Sequence, residues 1–229
     1  MKEIDKIKGE NVRDYAYRMI LHNIVTLELP PGSTVSENEL SELLKVSRTP
    51  AREALLEMRR LGFVEAFPQK GSYVTKIDYN MINDANFIRL SLETAIVRLA
   101  CQDGISSRYL RKLHENIEMQ RKYEPIADAY VMLLELDNAF HRLLFESVSK
   151  NQAWNFMQTQ MLHLDRLRHL ALQTLKVSKF NRTVNDHANI LYAVEKRDEE
   201  LAEMVMNKHL TRHLYEKEEL WEIYPDYFK

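Results

Sequence analysis

The stretch Ser47-Arg48-Thr49-Pro50-Ala51-Arg52-Glu53-Ala54-Leu55 decides the fold. Ser47 suits a helix N-cap, Pro50 is tolerated in a first helical turn, and Glu53 matches the positive end of a helix. Leu55, Met58 and Leu61 recur at helical spacing before Gly62, which predicts a short amphipathic helix. At about 100° per residue, Arg48 and Arg52 stand about 40° apart on one side of it. Two arginines and two hydroxyls in one turn suit phosphates and guanine edges in a DNA major groove. A solvated basic face is the alternative for any isolated arginine pair, so the flanking sequence has to decide.

Upstream, the pattern predicts a helix from about Asn11 to Leu29, with Val12, Tyr15, Ala16, Met19, Ile20 and Val25 near one face. Pro30-Pro31-Gly32 stops it. Ser36 then caps a second short helix with Leu40, Leu43 and Leu44 inward, and Lys45-Val46 turns into the Ser47 helix. Two short helices joined so tightly make a helix-turn-helix. Downstream, residues 63–67 read as a strand, Pro68-Gln69-Lys70-Gly71 as a turn and residues 72–75 as the returning strand. Three helices and a hairpin make a winged helix.

Composition agrees with a folded, mostly helical chain. The 229 residues include few glycines and prolines, and the single Cys101 excludes an internal disulfide framework. No stretch resembles a signal peptide or a membrane span, so a cytoplasmic protein with no membrane partner is expected. The net charge of −2 argues against bulk attraction to nucleic acid. Its distribution does not: Lys45 to Lys76 holds seven cations (Lys45, Arg48, Arg52, Arg59, Arg60, Lys70, Lys76) against Glu53, Glu57 and Glu65. A local basic patch is enough for a dimer that reads DNA by contacts.

Pro31-Gly32, Ser36-Glu37, Glu39-Leu40, Leu43, Val46 to Pro50, Arg52 to Leu55, Leu61-Gly62, Val64 and Gly71 to Val74 follow a known order and spacing. Over roughly residues 11–77 the chain resembles the amino-terminal domain of GntR-family bacterial transcription regulators. The resemblance implies that Ser47, Arg48, Thr49 and Arg52 contact DNA, and that Lys70 and Gly71 form the wing tip, the glycine entering the minor groove. Asn38 stands where some relatives carry a basic residue.

After Asp78-Tyr79-Asn80 the helical pattern runs to Trp221, with six helices expected near 80–102, 106–123, 126–149, 151–175, 179–196 and 198–222. The expected organisation is a winged helix-turn-helix over 1–77, a linker at 78–80 and an all-α helical bundle over 81–229. That bundle resembles the ligand-binding and dimerisation domain of the FadR-like (FCD) branch. Its six-helix count implies the shorter, VanR-like form.

One helix of the bundle carries Asp137 and His141 in the middle of an apolar stripe. With Asp137 at zero on the wheel, His141 falls near 40°, and Leu133, Phe140, Leu144 and Val148 fall between about −60° and 20°. An unpaired carboxylate there would cost several kcal/mol or become protonated, so a cation is its natural partner. His187 shares a face with Ile190, Leu191 and Val194, and His209 with Ala202, Val205 and Met206. Single inward histidines usually only hydrogen-bond within cores. One Asp and three His together form a plausible shell for a divalent transition metal such as zinc, nickel or manganese. The resemblance implies the same four positions, because metal-containing members of the branch carry an Asp-x-x-x-His pair and two later histidines. His213, beside Arg212, Glu216 and Lys217, is read as a surface residue.

Arg89 and Glu93 match an Arg-x-x-x-Glu pattern of the branch. They make either a surface ion pair or a clamp in which Arg89 holds a ligand carboxylate near the metal, with Arg166 a second candidate. The function expected is a ligand-responsive repressor and not an enzyme: a homodimer on a near-palindromic double-stranded operator, controlled by a small carboxylate effector at the metal. A metal-dependent enzyme and a regulator with a purely structural metal are the competing readings.

Overall fold

The computed structural model describes residues 1–126, 129–175, 180–212 and 217–229. They form two compact units, one made of Met1–Tyr79, Asp165–Leu170 and Glu219–Lys229, the other of Asn80–Leu164 and Ala171–Glu218.

In the first unit, α1 (Val12–Val25) opens on Asn11, whose side chain accepts the Asp14 amide. It stops four residues before the expected Leu29. Leu27 adopts φ 67°, and the Leu29 amide turns back to the Asn23 carbonyl at 2.8 Å. The chain therefore leaves the helix before the prolines, and the buried face is Ala16, Met19, Ile20, Asn23 and Ile24. Helix α2 (Glu37–Leu44) is capped by Ser36, which accepts from the Glu39 amide at 3.1 Å. Leu40 and Leu44 are its buried residues, whereas Leu43, expected inward, is 49% exposed. Lys45 takes the left-handed conformation (φ 52°) that closes the turn into α3 (Arg48–Arg60).

Ser47 does occupy the N-cap position of α3, but its side chain makes no capping hydrogen bond. Ala51, Ala54, Leu55 and Met58 form the inward face, packed against α1. The wing has one strand more than the sequence suggests. Strands β2 (Val64–Phe67) and β3 (Gly71–Val74) pair antiparallel, and the two-residue β1 (Thr34–Val35) joins the other edge of β3, with Thr34 opposite Tyr73. Two residues are too few for an alternation pattern to show in sequence. Gln69 and Gly71 both have positive φ in the wing turn, a conformation that costs glycine nothing.

The second unit is built on α4 (Tyr79–Asp103), α5 (Ser107–Tyr123), α6 (Tyr130–Ser147), α7 (Asn151–Leu175), α8 (Phe180–Lys196) and α9 (Glu199–Leu210), with α10 (Lys217–Ile223) after them. Residues 165–170 of α7 and 219–223 of α10 count with the first unit. Helix α4 begins at Tyr79, so the non-helical run lies at 75–78 rather than at 78–80. The last helix expected, 198–222, is two helices: α9 ends at a Thr211 cap, whose amide donates to Asn207, and residues 213–216 lie outside the described set. Tight connections are made by left-handed residues. Ser149 (φ 60°) closes α6 while the Lys150 amide reaches the Phe145 carbonyl, and Arg197 (φ 58°) closes α8 while the Asp198 amide reaches Ala193. Helix α5 packs on α6 and α8, and α8 on α9.

Leu55, only 2% exposed, joins α3 to the winged-helix core. Leu55→Ala should cost about 2–5 kcal/mol, read as lost hydrogen-exchange protection across α1 and α3. A loss below about 1 kcal/mol would contradict its place in the core.

Candidate metal centre and DNA interface

Asp137 and His141 on α6, His187 on α8 and His209 on α9 meet in the interior of the second unit. Each offers one donor atom, and these lie within 4.8 Å of one another. Asp137, His141 and His187 are buried, and the His209 side chain is 7% exposed. His141 Nε2 and His187 Nε2 stand 3.1 and 3.3 Å from His209 Nε2. Asp137 Oδ1 is 3.5 Å from His187 Nε2, and its Oδ2 is 4.0 Å from His141 Nε2. Nitrogens each about 2.0–2.1 Å from one ion, about 90–110° apart, would be separated by about 2.9–3.4 Å. His141 and His187 already stand at that spacing from His209.

The protons on these rings can be assigned from their outer partners. Asn116 Nδ2 donates to the Leu136 carbonyl at 3.0 Å, an atom that can only accept. Its Oδ1 therefore faces Gln120 Nε2 (2.6 Å), and Gln120 Oε1 faces His187 Nδ1 (2.8 Å). His187 thus donates through Nδ1–H and leaves the Nε2 lone pair pointing into the cluster. His141 Nδ1 faces Glu93 Oε2, whose other oxygen accepts from Arg89 Nε at 2.6 Å. Burial works to raise the Glu93 carboxyl, but its contacts with His141 and Arg89 overcome it and hold it at about 2. It is a carboxylate, and His141 donates to it. His209 Nδ1 is 3.6 Å from Asp186 Oδ2, just beyond hydrogen-bond range, and Asp186 is held by Arg212. Burial pushes His187 well below the usual imidazole range, and it lowers His209 in spite of Asp186. The inner nitrogens of three histidines and a carboxylate therefore converge on one point, with His141 and His187 oriented by outer acceptors as metal-ligating histidines are. His187 is held further by stacking on Phe140, ring centroids 4.1 Å apart.

Arg89 belongs to this cluster. The Arg89–Glu93 pair is buried, 6% and 1% exposed, so the surface-pair reading is set aside. Arg89 Nη2 is 4.0 Å from Asp137 Oδ2. Arg166 is not gathered with the Asp137 set: it falls in the first unit, where Nη2 donates to the Thr75 carbonyl at 2.7 Å. Its helical position alone did not show which unit it would join. His213 lies outside the described residues. Sequence reasoning missed Gln120, Asn116 and Asp186, and gave Glu93 only Arg89 as partner. Asn116 and Gln120 did carry a signal, since they stand one turn apart beside the apolar Leu113 and Ile117, as Asp137 and His141 stand among Leu133, Phe140 and Leu144.

In the first unit, Ser47, Arg48, Thr49 and Arg52 are all exposed on the first turns of α3, and Lys70 and Gly71 are exposed in the wing turn. Arg48 and Arg52 make no ion pair among the described residues. Arg59 Nη2 donates to Ser72 Oγ at 2.7 Å and ties α3 to the wing. With Ser47 Oγ free of capping, the helix end presents a hydroxyl and unpaired amides together, which is an arrangement for phosphate oxygens.

Comparison with known proteins agrees with both units. Residues 84–212 match the FCD domain family, and residues 13–74 match the family described as bacterial regulatory proteins, gntR family. The chain is 32% identical over 202 residues to the HTH-type transcriptional repressor RspR of Escherichia coli K12, covering 87% of this chain and 86% of that protein. It is also 32% identical over 203 residues to an uncharacterized HTH-type transcriptional regulator in an unstable DNA locus of Streptomyces ambofaciens, covering 88% and 83%. The solved structure of E. coli McbR/YncC shares the fold, with a TM-score of 0.74 at 18% identity over 94% of this chain and 99% of that one. These families and relatives are transcription regulators rather than enzymes, and the FCD domain is a ligand-binding module. No helix among the described residues is long and apolar enough to cross a membrane. The chain belongs to the GntR family of bacterial transcription regulators, with a gntR winged helix followed by an FCD domain.

Proposed function

We propose that this regulator is a repressor whose operator affinity is set by a small carboxylate bound at a divalent transition metal, held by Asp137, His141, His187 and His209. The observation that carries the reading is the orientation of two rings: outer acceptors turn the inner nitrogens of His141 and His187 into the cluster, 3.1 and 3.3 Å from His209 Nε2. Donor atoms gathered so closely, with a carboxylate among them, suit a single cation held between them. Imidazole nitrogens with one carboxylate oxygen suit zinc or nickel, and manganese tolerates the set. Four protein ligands leave one or two positions for oxygen donors in a five- or six-coordinate ion. A carboxylate can fill one of these while its remaining anionic group meets Arg89, whose Nη2 already lies beside Asp137.

The DNA side of the proposal assigns Ser47, Arg48, Thr49 and Arg52 to the major groove and Lys70 and Gly71 to the wing contact. The domain division proposed is a DNA-binding domain over 1–77 and an effector, metal and dimerisation domain over 81–229. A symmetric dimer would set two α3 helices on the half-sites of a near-palindromic operator.

Elemental analysis of protein purified without chelator should find close to one transition-metal ion per chain. His187→Ala should abolish tight binding, and Gln120→Ala should weaken it about 10–100-fold by releasing the His187 ring. Absence of metal, with no uptake of zinc, nickel or manganese, would reduce the four residues to a polar core.

For DNA, Arg52→Ala should cost about 1–3 kcal/mol and relax base preference at one position of a duplex selected from a random pool. Unaltered binding by the Arg48→Ala/Arg52→Ala double variant would remove α3 from the groove.

The switch itself is tested by titrating metal-loaded protein with small carboxylates, with and without that duplex. A coupled acid should change DNA affinity about 5–150-fold, and DNA should change the acid's affinity by the same factor. Arg89→Ala should weaken the acid. Acids that bind without altering DNA affinity would contradict the switch and leave the metal site standing.

A further inference from the structure

Within the first unit, residues 219–229 fold onto the run that follows the wing. The backbones join at one point, where Ile77 and Phe228 form a parallel bridge. The Ile77 N–H donates to the Tyr227 carbonyl at 2.8 Å, and the Lys229 N–H donates to the Ile77 carbonyl at 3.2 Å. Two hydrogen bonds are little β-structure, and side chains reinforce them. Tyr79 stacks on Trp221 and on Phe228, and these two stack on each other, with ring centroids 6.0, 5.3 and 5.3 Å apart. Lys229 Nζ lies 3.3 Å from Asp78 Oδ2. Ile77, Leu220 and Phe228 are buried.

Arg166 reaches the same run from α7. Its Nη2 bonds the Thr75 carbonyl, the side chain is 1% exposed, and Nε and Nη1 have no hydrogen-bond partner among the described residues. A buried guanidinium with one acceptor has no substitute if that acceptor withdraws, so the contact is either made or lost as a whole. Thr75 is also bound on its other side. Its amide donates to the Phe63 carbonyl at 2.9 Å, and its hydroxyl donates to the Gly62 carbonyl at 2.7 Å. Gly62 and Phe63 directly follow α3 and its Leu61 cap. One residue thus links a buried cation of α7 to the end of the recognition helix and the wing.

We propose that residues 219–229 form a strap that fastens the run 75–79, with Arg166 as the positioning residue that ties it to α7, so that the strap sets how α3 and the wing meet DNA. The inference deepens the DNA-binding reading above and rests on it.

The test uses the full chain with Phe228→Ala, Arg166→Met and Arg166→Lys. Hydrogen exchange at the Ile77 amide should speed up by about 10-fold or more in Phe228→Ala, because its acceptor is released. Affinity for a duplex selected by the wild type from a random pool should change by about 5-fold or more in Phe228→Ala and Arg166→Met, a shift of the size usual for coupled sites. Arg166→Lys, which keeps a charged donor, should restore most of that affinity. Titration with zinc alone should match the wild type in all three, which separates a positioning role from general damage. Should Phe228→Ala fail to fold, Trp221→Ala, whose side chain is 38% exposed, takes its place. Unchanged Ile77 exchange, or unchanged DNA affinity in folded variants, overturns the strap. A wild type that selects no duplex overturns the DNA-binding reading and with it the strap's role on DNA, while Ile77 exchange still decides whether the segment fastens the run.

Discussion

In His187 and His141, the hydrogen bonds on the outer nitrogens govern what the inner nitrogens can do. Once the Leu136 carbonyl fixes Asn116, Asn116 fixes Gln120 and Gln120 fixes His187, the lone pair of His187 has only one direction left. Glu93 does the same for His141, and Arg89 holds Glu93 ionised in a place where burial alone would favour the neutral acid. Five helices contribute to this network: α4, α5, α6, α8 and α9. A polar network of this depth stabilises a fold only when every member is satisfied. With three imidazole nitrogens and a carboxylate facing each other, the proposed cation is the member that would complete it. In the proposed function that ion would couple the helices that hold its ligands, and a ligand that changed its coordination would have leverage on all of them.

The DNA end of the molecule follows a different logic, in which exposure matters more than convergence. Among the described residues the first turn of α3 keeps its arginines out of ion pairs and leaves Ser47 without a capping bond, so its groups are available to an outside partner. Its far end is anchored: Gly62 and Phe63 hold Thr75, and Arg59 holds Ser72 in the wing. A helix that is free at one end and fastened at the other can be re-aimed by a small movement of its fastening.

Much of this was legible in the sequence, for reasons that can be named. Period and caps located the three helices of the winged domain and most of the bundle, because burial of one face dictates spacing. The wheel put Asp137 and His141 among Leu133, Phe140 and Leu144, and a charge in an apolar stripe is conspicuous. Tertiary contacts and local dihedrals were not legible. Nothing in the spacing of α1 shows that Leu27 will turn left-handed, or that Leu43 will face outward. β1 is too short to have a period. Arg89 and Glu93 read equally well as a surface pair until α4 is seen to turn them inward. Arg166 reads from the sequence as a second clamp for a carboxylate, and only the packing of residues 75–79 gives it the Thr75 carbonyl instead.

The most direct measurement of the central claim is anomalous diffraction at the zinc, nickel and manganese edges, from crystals of protein purified without chelator and, in parallel, soaked in each metal. The account predicts one strong peak inside the second unit, about 2.0–2.2 Å from Nε2 of His141, His187 and His209 and from an oxygen of Asp137. A metal-soaked crystal with no anomalous peak there, with an ordinary water among the four side chains, would contradict it.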